Sequence, residues 1–128
     1  MQNTAKWISI PDDTECDCPE FKRKITLDNK INKAILYVSA IGVYECRIDG
    51  KKIGCEVLTP GWTNYADHVQ YREYDITDIL QDESELAILC GKGWAVGRMG
   101  WDNEDNVYSK KILCMFSLSI DFEDGTTK

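Results

Sequence analysis

Two stretches rich in glycine and tryptophan carry the side chains best suited to bind a neutral, polar ligand. The longer stretch, residues 90–101, places two tryptophans and Arg98 among four glycines, and the shorter one, residues 60–65, contains Trp62. An aromatic ring can cover the C–H face of a sugar while neighbouring polar side chains bind its hydroxyl groups. The pattern therefore favours a carbohydrate-binding surface. The alternative is that the same rings anchor loops to the protein core or to a neighbouring domain.

The two stretches each lie between predicted strands, and the loops of a β-sandwich gather at the ends of its sheets, so both can share one end. Either Trp94 or Trp101 would face the apolar side of the sugar, and the polar residues would bind hydroxyl groups directly or through a cation. For Trp94 and Arg98 the competing interpretation is burial as loop anchors. The predicted ligand-binding residues are Trp62, Tyr65, Trp94, Arg98, Trp101, Asp102 and Asn103.

An acidic run follows the longer stretch, at residues 102–106 (Asp-Asn-Glu-Asp-Asn). Its carboxylate and amide oxygens are the ligands that calcium prefers, so the run is a candidate calcium site. It lacks the fixed spacing of an EF-hand, which favours the alternative, a solvated loop of turn-forming residues. No other cofactor is predicted.

No catalytic constellation stands out among the 128 residues. A glycosidase needs two carboxyl groups across a cleft, but none of the 22 acidic residues lies in a pattern that distinguishes it from the others. The single histidine, His68, has no serine or cysteine at a recognisable motif spacing, and a phosphate-binding glycine loop is missing. We therefore expect this chain alone not to hydrolyse a glycoside.

The net charge argues against nucleic acid and membrane partners, and the cysteines indicate the cellular compartment. A formal net charge of −7 argues against nucleic acid and anionic membranes, which need a basic surface. The chain shows no apolar run of the roughly 18 residues that a membrane helix needs, and no signal-peptide pattern. Cys46, Cys90 and Cys114 lie within apolar strand patterns, as reduced core cysteines do. These features predict a cytoplasmic protein with free thiols.

Alternation of apolar and polar residues predicts β-strands along the whole chain. The clearest case is residues 112–122, with Phe116, Leu118 and Ile120 facing the core, and residues 43–49 and 52–55 form a predicted hairpin around Asp49-Gly50. Short strands at intervals of eight to twelve residues, without real helices, indicate one all-β sandwich domain spanning residues 1–128. The further predicted strands are residues 6–10, 21–27, 34–41, 69–76 and 86–90.

Several of these motifs, taken in order, resemble one family. Residues 35–51, 58–65, 69–77 and 93–101 are similar to the N-terminal domain of bacterial α-L-rhamnosidases, glycoside hydrolase family 78. The resemblance runs from about Trp7 to the end of the chain. It departs from the family pattern at Asn64, where the family often carries aspartate, and this puts a charge-dependent role at that position in doubt.

The resemblance implies a jelly-roll-like antiparallel β-sandwich, similar to galactose-binding domains, that is itself not catalytic. It implies a larger polypeptide, whose (α/α)₆ barrel holds the acids that release α-L-rhamnose with inversion. The chain would then be an excised piece that stops before its last strand or strands. Two roles follow from the resemblance and stay open: recognition of a rhamnose-containing carbohydrate, with calcium in some members, or docking on the catalytic barrel.

Overall fold

The computed structural model describes residues 5–12 and 14–128, and almost all of its regular elements are β-strands. Ten elements carry the fold, and the single helix among them is one turn long. Among the described residues, no helix is long and apolar enough to cross a membrane. The elements are β1 (Glu20–Thr26), β2 (Ile31–Ile41), β3 (Val43–Ile48), β4 (Lys51–Lys52), β5 (Arg72–Asp75), β6 (Glu83–Gly91), α1 (Gly93–Val96), β7 (Arg98–Met99), β8 (Glu104–Asp105) and β9 (Leu113–Phe122).

Two antiparallel sheets form the sandwich. One sheet has four strands in the order β1-β6-β3-β4, and the other has three in the order β5-β2-β9. A separate two-stranded hairpin, β7-β8, projects from the segment that follows β6. Every pairing is antiparallel. Strands distant in sequence lie side by side, such as β1 with β6 and β2 with β9, as they do in a jelly roll. The predicted all-β, jelly-roll-like sandwich is confirmed.

The core lies between the two sheets and is built by alternate residues of their long strands. From β2, the central strand of its sheet, Ala34, Leu36, Val38 and Ala40 point inward and are fully buried. The opposite sheet supplies inward side chains from β3 and β6. Three of the six cysteines pack here, as predicted, but three others are exposed. The buried thiols are Cys46, Cys90 and Cys114, and the exposed ones are Cys16, Cys18 and Cys55.

The Asp49-Gly50 turn joins β3 and β4 as the sequence predicts. Both residues have positive φ, 50° and 77°, which suits a two-residue hairpin turn. The Asp49 carboxylate also accepts a hydrogen bond of 2.8 Å from the amide of Glu85 on β6. The return strand is shorter than predicted and is limited to Lys51–Lys52.

Two other predicted strands differ in extent from the observed ones, and one helical turn was not expected. The segment 6–10 makes only one bridge, between Ile8 and Cys114, instead of a strand. The segment 69–76 forms a strand only at Arg72–Asp75, and residues 69–71 belong to the preceding loop. After β6, where the sequence predicts no real helix, the chain forms the single turn α1.

Phe116 and Leu118 face inward as predicted, but they are only partly buried. They line an open cleft of about 330 Å³ between β1 and β9, together with Ile25 and Arg23. The cleft exists because β1 and β9 are edge strands of their respective sheets. For the same reason Arg23 remains exposed, although it lies on the same face of β1 as the buried Ile25.

Candidate functional site

The hairpin β7-β8 presents Trp101 at its tip. Residues 100–103 form the turn, with positive φ at Gly100 (82°) and Asn103 (53°) and a hydrogen bond from the Asn103 amide to the Gly100 carbonyl oxygen. The Trp101 side chain is fully exposed, at 103% of its reference area. Asp102 and Asn103 share this exposed turn. An indole ring held this far from the core is available to stack on a ligand.

Arg98 lies in the stem of the same hairpin. Its Nε donates to the Asp105 Oδ1 at 3.2 Å, across the β7-β8 pair. The Arg98 side chain is 69% exposed. The interpretation of Arg98 as a buried anchor is therefore wrong, because the short hairpin lifts its guanidinium group into solvent. Its Nη groups make no hydrogen bond to any described residue and are available to a ligand.

Trp94 belongs to α1, nearer the core. Its neighbours Ala95 and Val96 are buried, whereas the Trp94 side chain is half-buried. The Ala95 carbonyl oxygen accepts hydrogen bonds from the amides of Tyr108 and Ser109, which fixes the segment after the hairpin against α1. Trp94 therefore lies at the base of the hairpin with part of its side chain at the surface.

The residue before the shorter stretch, Thr59, is hydrogen-bonded to Tyr44 of β3. The Thr59 hydroxyl donates to the Tyr44 carbonyl oxygen at 2.6 Å, and the Tyr44 amide donates to the Thr59 carbonyl oxygen at 2.8 Å. Beyond the cis Thr59–Pro60 bond, Trp62 is 56% exposed. Asn64 orders the following turn, because its Oδ1 accepts the Ala66 amide and its Nδ2 donates to Asp67. An amide suits this role, since it both donates and accepts.

The shorter stretch contacts the segment that follows the hairpin through a pair of tyrosines. The rings of Tyr65 and Tyr108 lie 5.2 Å apart, centroid to centroid, and tilted by 52°. Burial, and then the neighbouring Tyr108, raise the pKa of the Tyr65 hydroxyl, which donates to the Gly61 carbonyl oxygen. Sequence reasoning missed Tyr108, because a lone tyrosine after an acidic run carries no motif. The shorter stretch thus packs against the segment after the hairpin, which is itself bonded to Ala95, but no described tryptophan pairs its ring with another aromatic ring.

The acidic turn contains Asp102, Glu104 and Asp105, all of them exposed. Asp105 is engaged with Arg98. Within residues 5–12 and 14–128, no three His, Cys, Asp or Glu side chains converge as a metal-binding group. A calcium ion at this turn would need Asn103 and backbone carbonyl oxygens beside the carboxylates, and calcium binding stays a prediction.

Comparison with known proteins identifies relatives of one kind. A family model described as the alpha-L-rhamnosidase N-terminal domain matches residues 29–128. An α-L-rhamnosidase from Formosa agariphila is 31% identical over 135 residues, covering 95% of this chain and 14% of that protein. One from Streptomyces avermitilis is 33% identical over 100 residues, covering 77% of this chain and 10% of that protein. The chain thus spans only about a seventh or less of these relatives.

Solved structures agree with the sequence matches. The native α-L-rhamnosidase of Aspergillus terreus superposes with a TM-score of 0.91 at 30% identity, covering 98% of this chain and 15% of that one. The Streptomyces avermitilis α-L-rhamnosidase in complex with L-rhamnose gives a TM-score of 0.80 at 31% identity, covering 85% and 11%. One of these relatives is fungal, so the matches do not decide a bacterial origin.

Proposed function

The chain belongs to the alpha-L-rhamnosidase N-terminal domain family, and from this premise we propose that it is a non-catalytic domain that helps to recognise rhamnose-containing carbohydrates. The single observation that carries the proposal is the fully exposed Trp101 at the tip of the β7-β8 hairpin. A large apolar ring is costly to hold in water without a partner. A deoxyhexose, with its C–H face and methyl group, is a suitable one.

The residues around Trp101 supply the polar half of such a site. Asp102 and Asn103 lie in the same turn, and the Arg98 guanidinium group is exposed in the stem. These groups would bind sugar hydroxyls directly or through a calcium ion, and Trp62 and Tyr65 of the shorter stretch would add further ring surface. A monosaccharide offers few atoms, so we expect a Kd on the order of millimolar. L-rhamnose is also the ligand of the Streptomyces avermitilis relative.

The parent polypeptide would be an inverting α-L-rhamnosidase whose catalytic acids lie in a barrel outside this chain. We also propose a cytoplasmic location, which the free thiols of the core favour. In this arrangement the domain would bring a terminal rhamnose toward the barrel and take no part in bond cleavage. Purified chain should therefore leave an aryl α-L-rhamnoside unhydrolysed.

A second role, docking on that barrel, is favoured by a different surface. Val57 and Leu58 are 76% and 57% exposed in the connection between β4 and β5. With Val43 and Leu89 they line an apolar groove on the outer face of the four-stranded sheet. Exposed aliphatic side chains suit a protein partner better than a sugar, because they offer no flat ring and no hydroxyl partners.

Titration with L-rhamnose, followed by tryptophan fluorescence with and without calcium, tests the proposal. We expect saturable binding that the Trp101→Ala variant loses, while its melting temperature stays within about 2 °C of the parent because the ring contacts little. Trp7→Ala, which removes a partly exposed ring outside the site, is the matched control and should bind normally.

The other outcomes are equally informative. If the intact chain shows no binding at about 50 mM rhamnose with calcium present, a concentration well above a Kd on the order of millimolar, carbohydrate recognition is wrong and docking is the better account. If Trp101→Ala binds like the parent and Trp62→Ala does not, the site lies on the shorter stretch and the assignment to the hairpin is wrong.

A further inference from the structure

The outer face of the three-stranded sheet carries a row of aromatic and polar side chains. On β2, Leu36 and Val38 point into the core, so Tyr37 between them points outward. The register places Glu73 of β5 on one side of Tyr37 and Ser117 of β9 on the other. Directly opposed residues share a face, so these three side chains form a row across the sheet.

A second tyrosine, Tyr71, lies beside this row and is 50% exposed. Its ring centroid is 6.0 Å from that of Tyr37, and the two rings are tilted by 60°. The Ser39 hydroxyl donates to the Gln70 carbonyl oxygen at 2.7 Å, which fixes the backbone before Tyr71 to β2. At the other end of the face, Ser119 of β9 lies four residues along the sheet from Ser39, a distance of about 13 Å. The face is therefore long enough for more than one sugar ring.

The polar side-chain groups of this face are free to bind a ligand. Within residues 5–12 and 14–128, the hydroxyls of both tyrosines, Ser117 and Ser119 and the carboxylate of Glu73 have no hydrogen-bond or ion-pair partner, and all of them reach solvent.

The outer face of the four-stranded sheet provides a contrast, because its charged side chains pair with one another. The Lys22 Nζ lies 3.3 Å from the carboxylates of both Glu20 and Glu85. The Glu45 carboxylate likewise lies 2.8 Å from the Arg47 guanidinium group. Two faces that both reach solvent thus differ in one respect: the three-stranded sheet keeps its polar groups unpaired beside two aromatic rings.

These groups select the chemistry of the ligand. Aromatic rings cover the C–H face of a sugar, and serine hydroxyls both donate and accept, as sugar hydroxyls do. The Glu73 carboxylate accepts from hydroxyls and repels an acidic glycan, and Lys33, a basic residue on the same face, lies away from it, opposite Asp121. A protein partner fits less well, because the core of a protein interface is depleted of charged residues and leaves few polar groups unpaired. A flat crystalline surface cannot lie on two rings tilted by 60°.

We propose that this face binds a single chain of a neutral oligosaccharide, with Tyr37 and Tyr71 stacking against its rings. Its hydroxyl groups bind to Glu73, Ser117 and Ser119. The site goes beyond the proposed recognition of rhamnose, since it lies on a sheet and not on the β7-β8 hairpin, and it needs no rhamnose in the ligand. Several sugar units offer more contact than one, so we expect a Kd on the order of 0.1–1 mM.

Titration of the isotope-labelled chain, followed by NMR through its amide chemical shifts, locates the site. The probes are cellohexaose, xylohexaose and mannohexaose, which are neutral and lack rhamnose, and hexagalacturonate, which is acidic. We expect at least one neutral hexasaccharide to shift the amides of residues 35–39, 71–73 and 117–119, and to leave residues 98–105 of the hairpin unchanged. A loss of rhamnose binding at the hairpin would not alter this result, so the two proposals fail separately.

Three variants test the contacts. Tyr71→Ala should weaken binding at least about tenfold and Glu73→Ala at least about threefold, because the first removes a stacking ring and the second a hydrogen-bond acceptor. Lys22→Ala, on the outer face of the other sheet, is the matched control and should bind normally. Tyr71 and Glu73 are both exposed, and if Tyr71→Ala does not fold, Glu73→Ala still decides the test.

Four results would overturn the proposal. The first is the absence of shifts on this face with every neutral hexasaccharide at about 10 mM, well above the expected Kd. The second is binding of hexagalacturonate as tight as that of the neutral chains. The third is unchanged binding by folded Tyr71→Ala or by Glu73→Ala. The fourth is shifts on this face that follow protein concentration without sugar, together with a dimer in analytical ultracentrifugation, which would assign the face to a second copy of the chain.

Discussion

Replacing Gly42 by alanine should be among the most damaging single-methyl changes in this domain. Gly42 lies between β2 and β3, where the chain passes from the three-stranded sheet to the four-stranded sheet. Its φ is 133°, a region that residues with a side chain rarely adopt. A Cβ at this position would lie 2.4 Å from the Gly91 carbonyl oxygen, which belongs to the strand paired with β3.

Two costs add in the Gly42→Ala variant. Holding alanine at this φ costs about 1–3 kcal/mol. Moving a backbone carbonyl group away from the new methyl group costs a further 1–3 kcal/mol or so, since the Gly91 carbonyl cannot rotate like a side chain. The sum, about 2–6 kcal/mol, is a large part of the 5–15 kcal/mol typical of a domain. For a domain of this length, each kcal/mol lowers Tm by about 4 °C, so we expect a fall of about 8–24 °C.

Urea unfolding followed by circular dichroism measures this cost, and Gly100→Ala is the control. Gly100 also has positive φ, 82°, but an added Cβ there meets nothing within 4 Å. The control should lose about 1–2 kcal/mol from its backbone conformation alone. Equal losses of unfolding free energy in the two variants would refute the reasoning, because the contact with Gly91 would then contribute nothing.

Three further predictions concern the core. Leu36→Ala should cost about 3–5 kcal/mol and Phe116→Ala only about 1–2 kcal/mol in urea unfolding, because Leu36 is fully enclosed whereas Phe116 borders an open cleft; similar losses would contradict this. Burial, and then the Tyr74 hydroxyl, raise the pKa of Tyr44, so this group ionises first in the unfolded chain, and its contribution to stability should fall above about pH 10 by up to about 1.4 kcal/mol per pH unit. Tyr44→Phe should flatten that fall, and an unchanged pH profile would exclude Tyr44 as its source. A thiol reagent should label native protein at three cysteines and denatured protein at six, and six fast native thiols would contradict the buried set, which is Cys46, Cys90 and Cys114.

Local chemistry made some of the fold predictable. Asp49 and Gly50 tolerate positive φ, and apolar residues alternate on both sides of them, so the pattern predicts a hairpin. The alternation in β9 likewise told which face of the strand is inward. It could not tell what covers that face, since the covering depends on strand order, and so the exposure of Phe116 and Leu118 to the cleft was not foreseen.

The candidate site was predictable as residues but not as geometry. The four glycines of residues 90–101 favour tight turns. The sequence did not distinguish the base of the hairpin, where Trp94 is half-buried, from its tip, where Trp101 is fully exposed. That difference arises from the pairing of Arg98 with Asp105, two residues seven positions apart. The contact between Tyr65 and Tyr108 depends on the packing of two loops far apart in sequence, which no local pattern encodes.

The isolation of the hairpin tip has a consequence for how this domain can diverge. Gly100 has no neighbour within 4 Å of a potential side chain, and Trp101 is fully exposed. Most substitutions at Trp101 and Asp102 should therefore leave the folded state almost as stable as before. Selection at these positions therefore acts mainly on what the tip binds and hardly at all on the stability of the fold. The tip can thus be exchanged or randomised to retarget the domain, while the strands beneath it stay unchanged.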